Sequence, residues 1–178
     1  MTAIPESILE GCRKKERRAQ EQLYRHCYAP FLRLCLRYAE CPADAADILN
    51  KAFFNILTKF DQFREEGNVL GWMKRIVIHA AVDYVRANRR FRYHSPMEVA
   101  ADLPGASTAD ATLLENDLLA LLRELPFTSS AVFNLFVVEG YSHREVGELL
   151  GISEANSKWH LHHARKLLQH KLQQTAAL

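Results

Sequence analysis

Apolar residues recur at intervals of three and four positions over long stretches of the chain, which is the spacing of amphipathic helices. The pattern predicts helices from about Glu16 to Ala39, from Ala43 to Phe60 and from Trp72 to Arg90. Pro30 lies inside the first of these, where we expect a kink or a short break. Residues with β-branched side chains are sparse and never alternate with polar ones, so no strand is predicted. The pattern is typical of an all-α protein.

The helical periodicity stops between residues 93 and 112, a stretch that contains prolines, a glycine and several small or acidic residues. Proline and glycine disfavour helix, so we interpret this stretch as a flexible linker. Leucine-rich helical spacing resumes after it. The sequence therefore predicts two small helical domains, residues 1–92 and 113–178, joined by a flexible linker at 93–112.

The net charge of +2 is unevenly distributed along the chain. Met1–Arg90 carries 16 basic against 11 acidic residues, whereas Phe91–Thr128 carries 2 against 6. A basic N-terminal part is compatible with a polyanionic partner. No apolar run approaches the roughly 20 residues of a membrane span, and Met1–Arg18 has no apolar signal core. We therefore expect a cytoplasmic protein with no membrane partner.

Tyr141–Leu168 has the pattern of two short helices joined by a tight turn. Ser142 and Glu145 have the spacing of a capping box at the start of the first helix. Gly151 is predicted to end that helix, because glycine readily adopts the left-handed conformation that such an end requires. Ser153 is a suitable cap for the second helix. This arrangement predicts a helix-turn-helix, in which Gly147 allows the two helices to approach closely.

The second helix of this motif has two different faces. Small and apolar residues are predicted to pack inward, whereas the opposite face carries hydrogen-bonding, aromatic and basic side chains that suit base edges and phosphates. The inward residues are Ser157, Leu161, Ala164, Leu168 and Leu172, and the outward ones are Asn156, Trp159, His160, His163 and Lys166. An ordinary helical hairpin with a solvated outer face is the alternative interpretation.

The sequence has few residues in arrangements that suit metal binding or catalysis. The four cysteines, Cys12, Cys27, Cys35 and Cys41, are predicted to be buried free thiols. A metal site that combines His26 with Cys41 or Cys12 is the weaker alternative. There is no glycine-rich phosphate loop and no catalytic constellation at usable spacing. We therefore expect no enzymatic activity, no cofactor, no bound metal and no small-molecule substrate.

Both halves of the chain resemble one known family. The N-terminal part contains DAADILNKAFFNIL (Asp44–Leu57) and WMKRIVIHAAVDYVR (Trp72–Arg86), and the C-terminal part contains VVEGYSHREVGELLGIS (Val137–Ser153) and HLHHARKLL (His160–Leu168). These motifs are similar to regions 2 and 4 of the sigma-70 family of bacterial RNA polymerase sigma factors. A chain that consists of region 2, a variable linker and region 4 resembles the extracytoplasmic-function (ECF) subfamily, whose members are the smallest of the family.

The resemblance implies a subunit that binds core RNA polymerase and directs it to promoter DNA. Region 2 would be a helical bundle that binds polymerase and that recognises and melts the minus-ten element, and region 4 a helix-turn-helix that binds the minus-thirty-five element. An anti-sigma factor is also expected as a partner. The implied polymerase-binding residues are Asp47, Asn50, Lys51 and Phe54, and the implied minus-ten residues are Phe63, Asn68, Trp72, Arg75, His79 and Arg86. The implied minus-thirty-five residues are Glu154, Asn156, Ser157, Lys158, Trp159, His160, His163 and Arg165.

The chain departs from the family pattern at several of these positions. Lys51 stands where the family usually has an acidic residue, and His79 stands where it usually has asparagine. The recognition helix carries Trp159 in place of a small residue and histidines in place of two arginines. Trp72 is equally compatible with a core residue at a helix start and with a platform for bases. The alternative function is that of a helix-turn-helix transcriptional regulator that does not act as a polymerase subunit.

Overall fold

A computed structural model of the chain describes residues 4–63, 67–92 and 120–175, and these residues contain helices and no strand. The helices are α1 (Glu6–Arg13), α2 (Arg17–Leu36), α3 (Pro42–Thr58), α4 (Val69–Arg92), α5 (Phe127–Phe133), α6 (His143–Leu150) and α7 (Glu154–Thr175). The chain divides into two compact units, Met1–Ala81 and Val82–Leu178. The all-α prediction is confirmed for this part of the chain. Among its helices, none is both long and apolar enough to span a bilayer.

The N-terminal unit packs α1, α2 and α3 around an apolar core. Leu23 and Cys27 on α2 are fully buried, as are Leu49 and Ile56 on α3. Helix α2 runs through Pro30 as one α-helix, so the predicted break does not occur. Packing of the apolar face against neighbouring helices stabilises a helix more than the propensity of one residue does, which explains how the proline is accommodated.

The loop before α4 is shorter than its polar sequence suggests. Helix α4 begins at Val69, three residues before the predicted start at Trp72. The side-chain Oδ1 of Asn68 accepts hydrogen bonds from the backbone N–H groups of Leu70 (3.0 Å) and Gly71 (3.3 Å). These are free amides of a first helical turn, so Asn68 acts as the cap that starts α4.

The cysteines are free, and three of them lie in the core. Burial raises the pKa of Cys12 and Cys27 to about 11 and that of Cys35 to about 12. Cys41 is half-buried, and its Sγ accepts a hydrogen bond from the backbone N–H of Asp44 at the start of α3. No group of three metal-binding side chains occurs among the residues that the structure describes. The prediction of buried free thiols is confirmed for all but Cys41, which caps a helix instead.

The C-terminal unit has a leucine-rich core. Leu122, Leu125, Ala164 and Leu168 are buried together, with Leu121, Phe133 and Leu167 packed against them. Helix α5 begins directly after Pro126 and continues into a π-helical segment, Asn134–Val138. Ser129 and Ser130 lie inside α5 and are buried.

One position predicted to be inward, Leu172, is exposed in the C-terminal unit. Val137, in the π-helical segment, is also exposed. Leu172 is 55% exposed, near the end of α7 and beyond the buried Leu168. The predicted linker lies outside the described residues.

Candidate nucleic-acid interface

Local side-chain bonds build the helix-turn-helix that α6 and α7 form. The Oγ of Ser142 accepts a hydrogen bond from the backbone N–H of Glu145, whose carboxylate accepts one from the backbone N–H of Ser142 at 2.8 Å. Gly151 ends α6 with a positive φ of 64°. The Oγ of Ser153 then accepts a hydrogen bond from the backbone N–H of Asn156 at 3.1 Å, which caps α7. The predicted capping box, glycine stop and serine cap are all confirmed.

The turn leaves no room for a side chain at position 147. A Cβ atom added to Gly147 would lie 2.8 Å from the backbone carbonyl oxygen of Ile152. Close approach at this glycine is therefore confirmed, although the crowding atom belongs to the turn and not to α7. Because that oxygen is part of the backbone, it cannot move aside without a shift of the turn.

Replacing Gly147 with alanine is expected to lower the free energy of unfolding by about 1–3 kcal/mol, the usual range for overpacking. The matched control is Gly71→Ala on α4, where the nearest heavy atom to an added Cβ is 3.7 Å away. That change should be neutral or stabilising by up to about 1 kcal/mol, since alanine favours helix. Denaturant unfolding of both variants measures the difference, and equal effects would contradict the crowding at Gly147.

Helix α7 presents most of its predicted contact residues to solvent. Asn156, Lys158, Trp159 and Arg165 are exposed, and the indole of Trp159 is 59% exposed. Glu154 is exposed as well and forms an ion pair with Lys158, in which Nζ and Oε1 are 2.6 Å apart. The aromatic ring and the cations therefore lie on the outer surface of the second helix, where a duplex can reach them.

Two residues of the predicted minus-thirty-five set point toward their own unit. Ser157 is fully buried, and its Oγ lies 3.0 Å from Nδ1 of His143. A buried side chain cannot touch DNA, so Ser157 supports the packing of α7 on α6. His160 is half-buried, and its Nδ1 lies 3.0 Å from Oγ of the fully buried Ser129 on α5. His163 is half-buried and stacks on Trp159, with ring centres 5.1 Å apart.

The sequence pattern does not indicate the role of His143. Besides its bond to Ser157, its ring stacks on Phe136 with centres 4.2 Å apart. Both partners come from elements other than its own helix, so no local spacing reveals the contact. Burial, and then the nearby charge of Lys158, lowers the pKa of His143. Burial also lowers the pKa of His160, followed by the effect of His163.

These two histidines are expected to make unfolding easier at low pH. A histidine whose pKa is lower in the folded than in the unfolded protein binds fewer protons when folded. Its contribution to stability is present above the ordinary pKa of 6.5 and is lost as the pH falls through that value toward the folded pKa. We expect the thermal midpoint of unfolding to decrease as the pH is lowered from about 7.5 to 5.5. This decrease should be smaller in the His160→Gln variant. His162→Gln, on the exposed side of α7, should not reduce it, and equal pH slopes for the two variants would contradict this prediction.

A stripe of aromatic and polar side chains follows α4. Trp72, Arg75, His79 and Arg86 recur at intervals of three, four and seven residues, so they share one face of the helix. Arg75, His79 and Arg86 are exposed, and Arg86 lies 3.9 Å from the carboxylate of Asp83. The stripe combines cations with an aromatic ring, which is the combination that binds single-stranded nucleic acid.

Trp72 both supports the fold and remains half-exposed. Its ring packs edge-to-face on Phe60 (6.0 Å between centres) and in a tilted arrangement on Phe63 (5.4 Å). Phe60 is buried, whereas Phe63 and Trp72 are half-buried. The structure therefore brings Phe63 and Trp72 together at the start of α4, beside the cap Asn68. Both interpretations of Trp72 are compatible with this position.

A second exposed surface lies on α3. Asp47, Asn50, Lys51 and Phe54 are all exposed and share one face by their spacing. Phe54 is 71% exposed, the largest value among the exposed large hydrophobic side chains of the described residues. The hydroxyl of Tyr24 donates a hydrogen bond to Oδ1 of Asn50 at 3.0 Å. An exposed phenylalanine in a polar setting is typical of a protein contact surface.

Comparison with known families identifies both parts of the chain. The family model for sigma-70 region 2 matches residues 23–91, and that for sigma-70 region 4 matches residues 115–168. The chain belongs to the sigma-70 family. The two matched regions contain the α3 surface, the α4 stripe and the helix-turn-helix, in the order in which the family has them.

Relatives of this sigma-70 chain include several proteins of the ECF group. It is 28% identical to ECF sigma factor SigM of Mycobacterium tuberculosis over 86% of this chain and 76% of that protein. It is 26% identical to ECF sigma factor SigE of Mycolicibacterium smegmatis and 27% identical to the probable sigma factor RfaY of Xanthomonas campestris pv. campestris. These matches cover 77% and 92% of this chain but only 55% and 42% of those relatives, so the chain spans about half their length. The family models and these relatives agree on the sigma-70 family, and two of the three relatives are ECF sigma factors.

Solved structures have a similar fold. RpoE of Bartonella quintana, in complex with the anti-sigma factor NepR, matches with a TM-score of 0.53 and 18% identity, over 86% of this chain and 96% of that one. CnrH, in complex with the cytosolic domain of CnrY, matches with a TM-score of 0.50 and 19% identity, over 93% of this chain and 95% of that one.

Proposed function

We propose that this chain is an ECF sigma factor that binds core RNA polymerase and directs promoter-specific initiation of transcription. The observation that carries the proposal is the match to regions 2 and 4 in one chain, in family order. In functional terms, residues 1–92 form region 2, residues 93–112 the linker and residues 113–178 region 4. The protein would act in the cytoplasm, where polymerase and promoter DNA meet, and it would carry out no catalytic step itself.

The α3 surface is the proposed contact with polymerase. It contains the exposed ring of Phe54, and Asp47, Asn50 and Lys51 lie on the same face in the two helical turns before it. Apolar anchors surrounded by polar side chains contribute most of the binding energy in many protein interfaces. Tyr24 holds the amide of Asn50 in place, so part of this surface is ordered before binding.

The start of α4 is the proposed site of promoter opening. Melting exposes bases that need an aromatic surface, and it exposes phosphates that need cations. Phe63 and Trp72 supply adjoining rings, and Arg75, His79 and Arg86 continue along the same face. Asn68 uses its side chain to cap α4, so its part in this site is to position Trp72.

Region 4 is the proposed contact with duplex DNA at the minus-thirty-five element. The exposed residues Asn156, Lys158, Trp159 and Arg165 would lie in or beside the major groove. An anti-sigma factor is proposed as a further partner, because RpoE, a protein of similar fold, was solved in complex with the anti-sigma factor NepR.

Run-off transcription with purified core polymerase tests the proposal. A specific transcript should require this chain on a duplex promoter obtained by selection, and core polymerase alone should not produce it. If the chain binds DNA but no transcript depends on it, the regulator hypothesis replaces the sigma factor. If the chain binds neither DNA nor core polymerase, the sigma-factor hypothesis and the regulator hypothesis are both wrong.

A further inference from the structure

The indole of Trp159 is in contact with two imidazole rings. His163, one turn further along α7, stacks nearly parallel to it at 5.1 Å and 12°. His160, the next residue in the chain, meets it edge-to-face at 4.9 Å and 80°. His160 is in turn bonded to the fully buried Ser129 on α5. A chain of contacts therefore runs from the core of the unit to the indole.

The contacts with His160 and His163 restrict the orientation of the Trp159 ring, although the residue stays largely exposed. The indole is 59% exposed even with both imidazoles against it, so much of its surface is open to a ligand. Ordering a long side chain on binding costs free energy, and a ring already held in place avoids part of that cost. Arg165 and Lys166 are exposed on the same helix and suit the phosphates on either side of a groove. The arrangement therefore favours a duplex as the occupant.

The chemistry of indole selects among the bases. Indole offers an apolar surface and one N–H donor, and it has no acceptor. In the major groove, thymine alone presents an apolar C5 methyl group beside an acceptor, O4. Guanine offers acceptors without a methyl group, and cytosine presents a donor that indole cannot satisfy. Thymine is therefore the base whose edge complements Trp159.

We propose that the Trp159–His163 ring pair reads thymine methyl groups in the minus-thirty-five element, with His160 and Ser129 as positioning residues. This inference rests on the proposed function, since it assigns a base preference to the same recognition helix. It also accounts for the tryptophan and histidines that replace the small and basic residues of the family pattern. Specificity then comes from a methyl contact at this point of the helix.

The experiment replaces thymine with uracil, which removes the methyl group and leaves every base pair intact. Holoenzyme made from core polymerase and the full chain first selects promoters from duplexes with a randomised upstream element. The selected elements should contain thymine. Uracil in that element should weaken binding about fourfold for each methyl that is contacted, whereas uracil in the flanking duplex should have no effect.

Substitutions test whether the Trp159–His163 ring pair is responsible for the difference in affinity between thymine and uracil duplexes. Trp159→Ala should bind the thymine and uracil duplexes equally. His163→Ala and Ser129→Ala should lower the ratio of thymine-duplex to uracil-duplex affinity, but the ratio should stay above one. The matched control is His162→Ala, an exposed histidine of the same helix, which should keep the wild-type ratio. Trp159→Phe should keep part of it, because phenyl retains an apolar face. Circular dichroism checks that each variant is folded.

A thymine-to-uracil ratio of one for the unaltered protein overturns the inference, whatever the variants do. If Trp159→Ala weakens the affinity for core polymerase and leaves the ratio unchanged, the ring contacts protein and the inference is wrong. Both results leave the proposed function standing, because run-off transcription still depends on the chain. If no transcript depends on it, the proposed function fails, and the base preference fails with it.

Discussion

Replacing Phe54 with alanine is expected to weaken binding to core polymerase by about 30-fold or more, which corresponds to the 2 kcal/mol that marks an interface hot spot. Phe54 is 71% exposed on the α3 surface, so loss of its ring removes an anchor without opening the core. The thermal midpoint should therefore stay within about a degree or two of the parent value, as is usual for surface changes. Surface plasmon resonance with immobilised core polymerase measures the affinity.

The adjacent residue provides the matched control. Phe53 is 3% exposed and packs edge-to-face on Tyr24, with ring centres 4.7 Å apart. Phe53→Ala should cost about 3–5 kcal/mol of stability, since it leaves a cavity, and any loss of binding should accompany unfolding. If Phe54→Ala binds core polymerase as tightly as the unaltered chain, α3 is not the polymerase surface.

Replacing Trp72 with alanine is expected to reduce promoter opening by roughly tenfold or more, because stacking of one base on an aromatic side chain is worth about 1–3 kcal/mol. Binding to core polymerase should be unaffected, since Trp72 is not one of the residues of the α3 surface. Permanganate reactivity of unpaired thymines in the minus-ten element reports the opening directly. Run-off yield on the same template gives an independent measurement.

Trp72 also packs on Phe60 and Phe63, so a structural effect must be separated from a functional one. Trp72→Phe keeps an aromatic ring at this position and should retain much of the opening. Arg75→Ala removes an exposed cation of the same face and should weaken opening without lowering the thermal midpoint. Normal permanganate reactivity for Trp72→Ala would show that Trp72 is only a core residue.

The helix-turn-helix could be predicted almost completely from the sequence, because its determinants are local. The capping box at Ser142, the left-handed Gly151 and the cap Ser153 each act within four residues along the chain. Local hydrogen bonds of this kind depend on spacing and residue type, both of which are visible in a sequence. The residues of the α3 surface came instead from the resemblance to the sigma-70 family, and in the structure all four are exposed.

The orientation of individual histidines could not be predicted in this way. His160 lies on the predicted outer face, but Ser129 of α5 draws its ring toward the core of the unit. His143 is bonded to Ser157, and its ring stacks on Phe136, a residue of the π-helical segment. These partners are 7 to 31 positions away along the chain, so no local pattern indicates them.

By itself, the sequence determined the helical class of this protein, its membership of the sigma-70 family and the faces that carry its polar and aromatic residues. These follow from periodicity, caps and motifs, which act over a few residues. Only the tertiary structure decided which of those residues are free to bind. It directed His160 toward the unit's own core, bonded His143 to Ser157 and placed two imidazoles against Trp159, because burial and side-chain bonding depend on residues brought together from different parts of the chain.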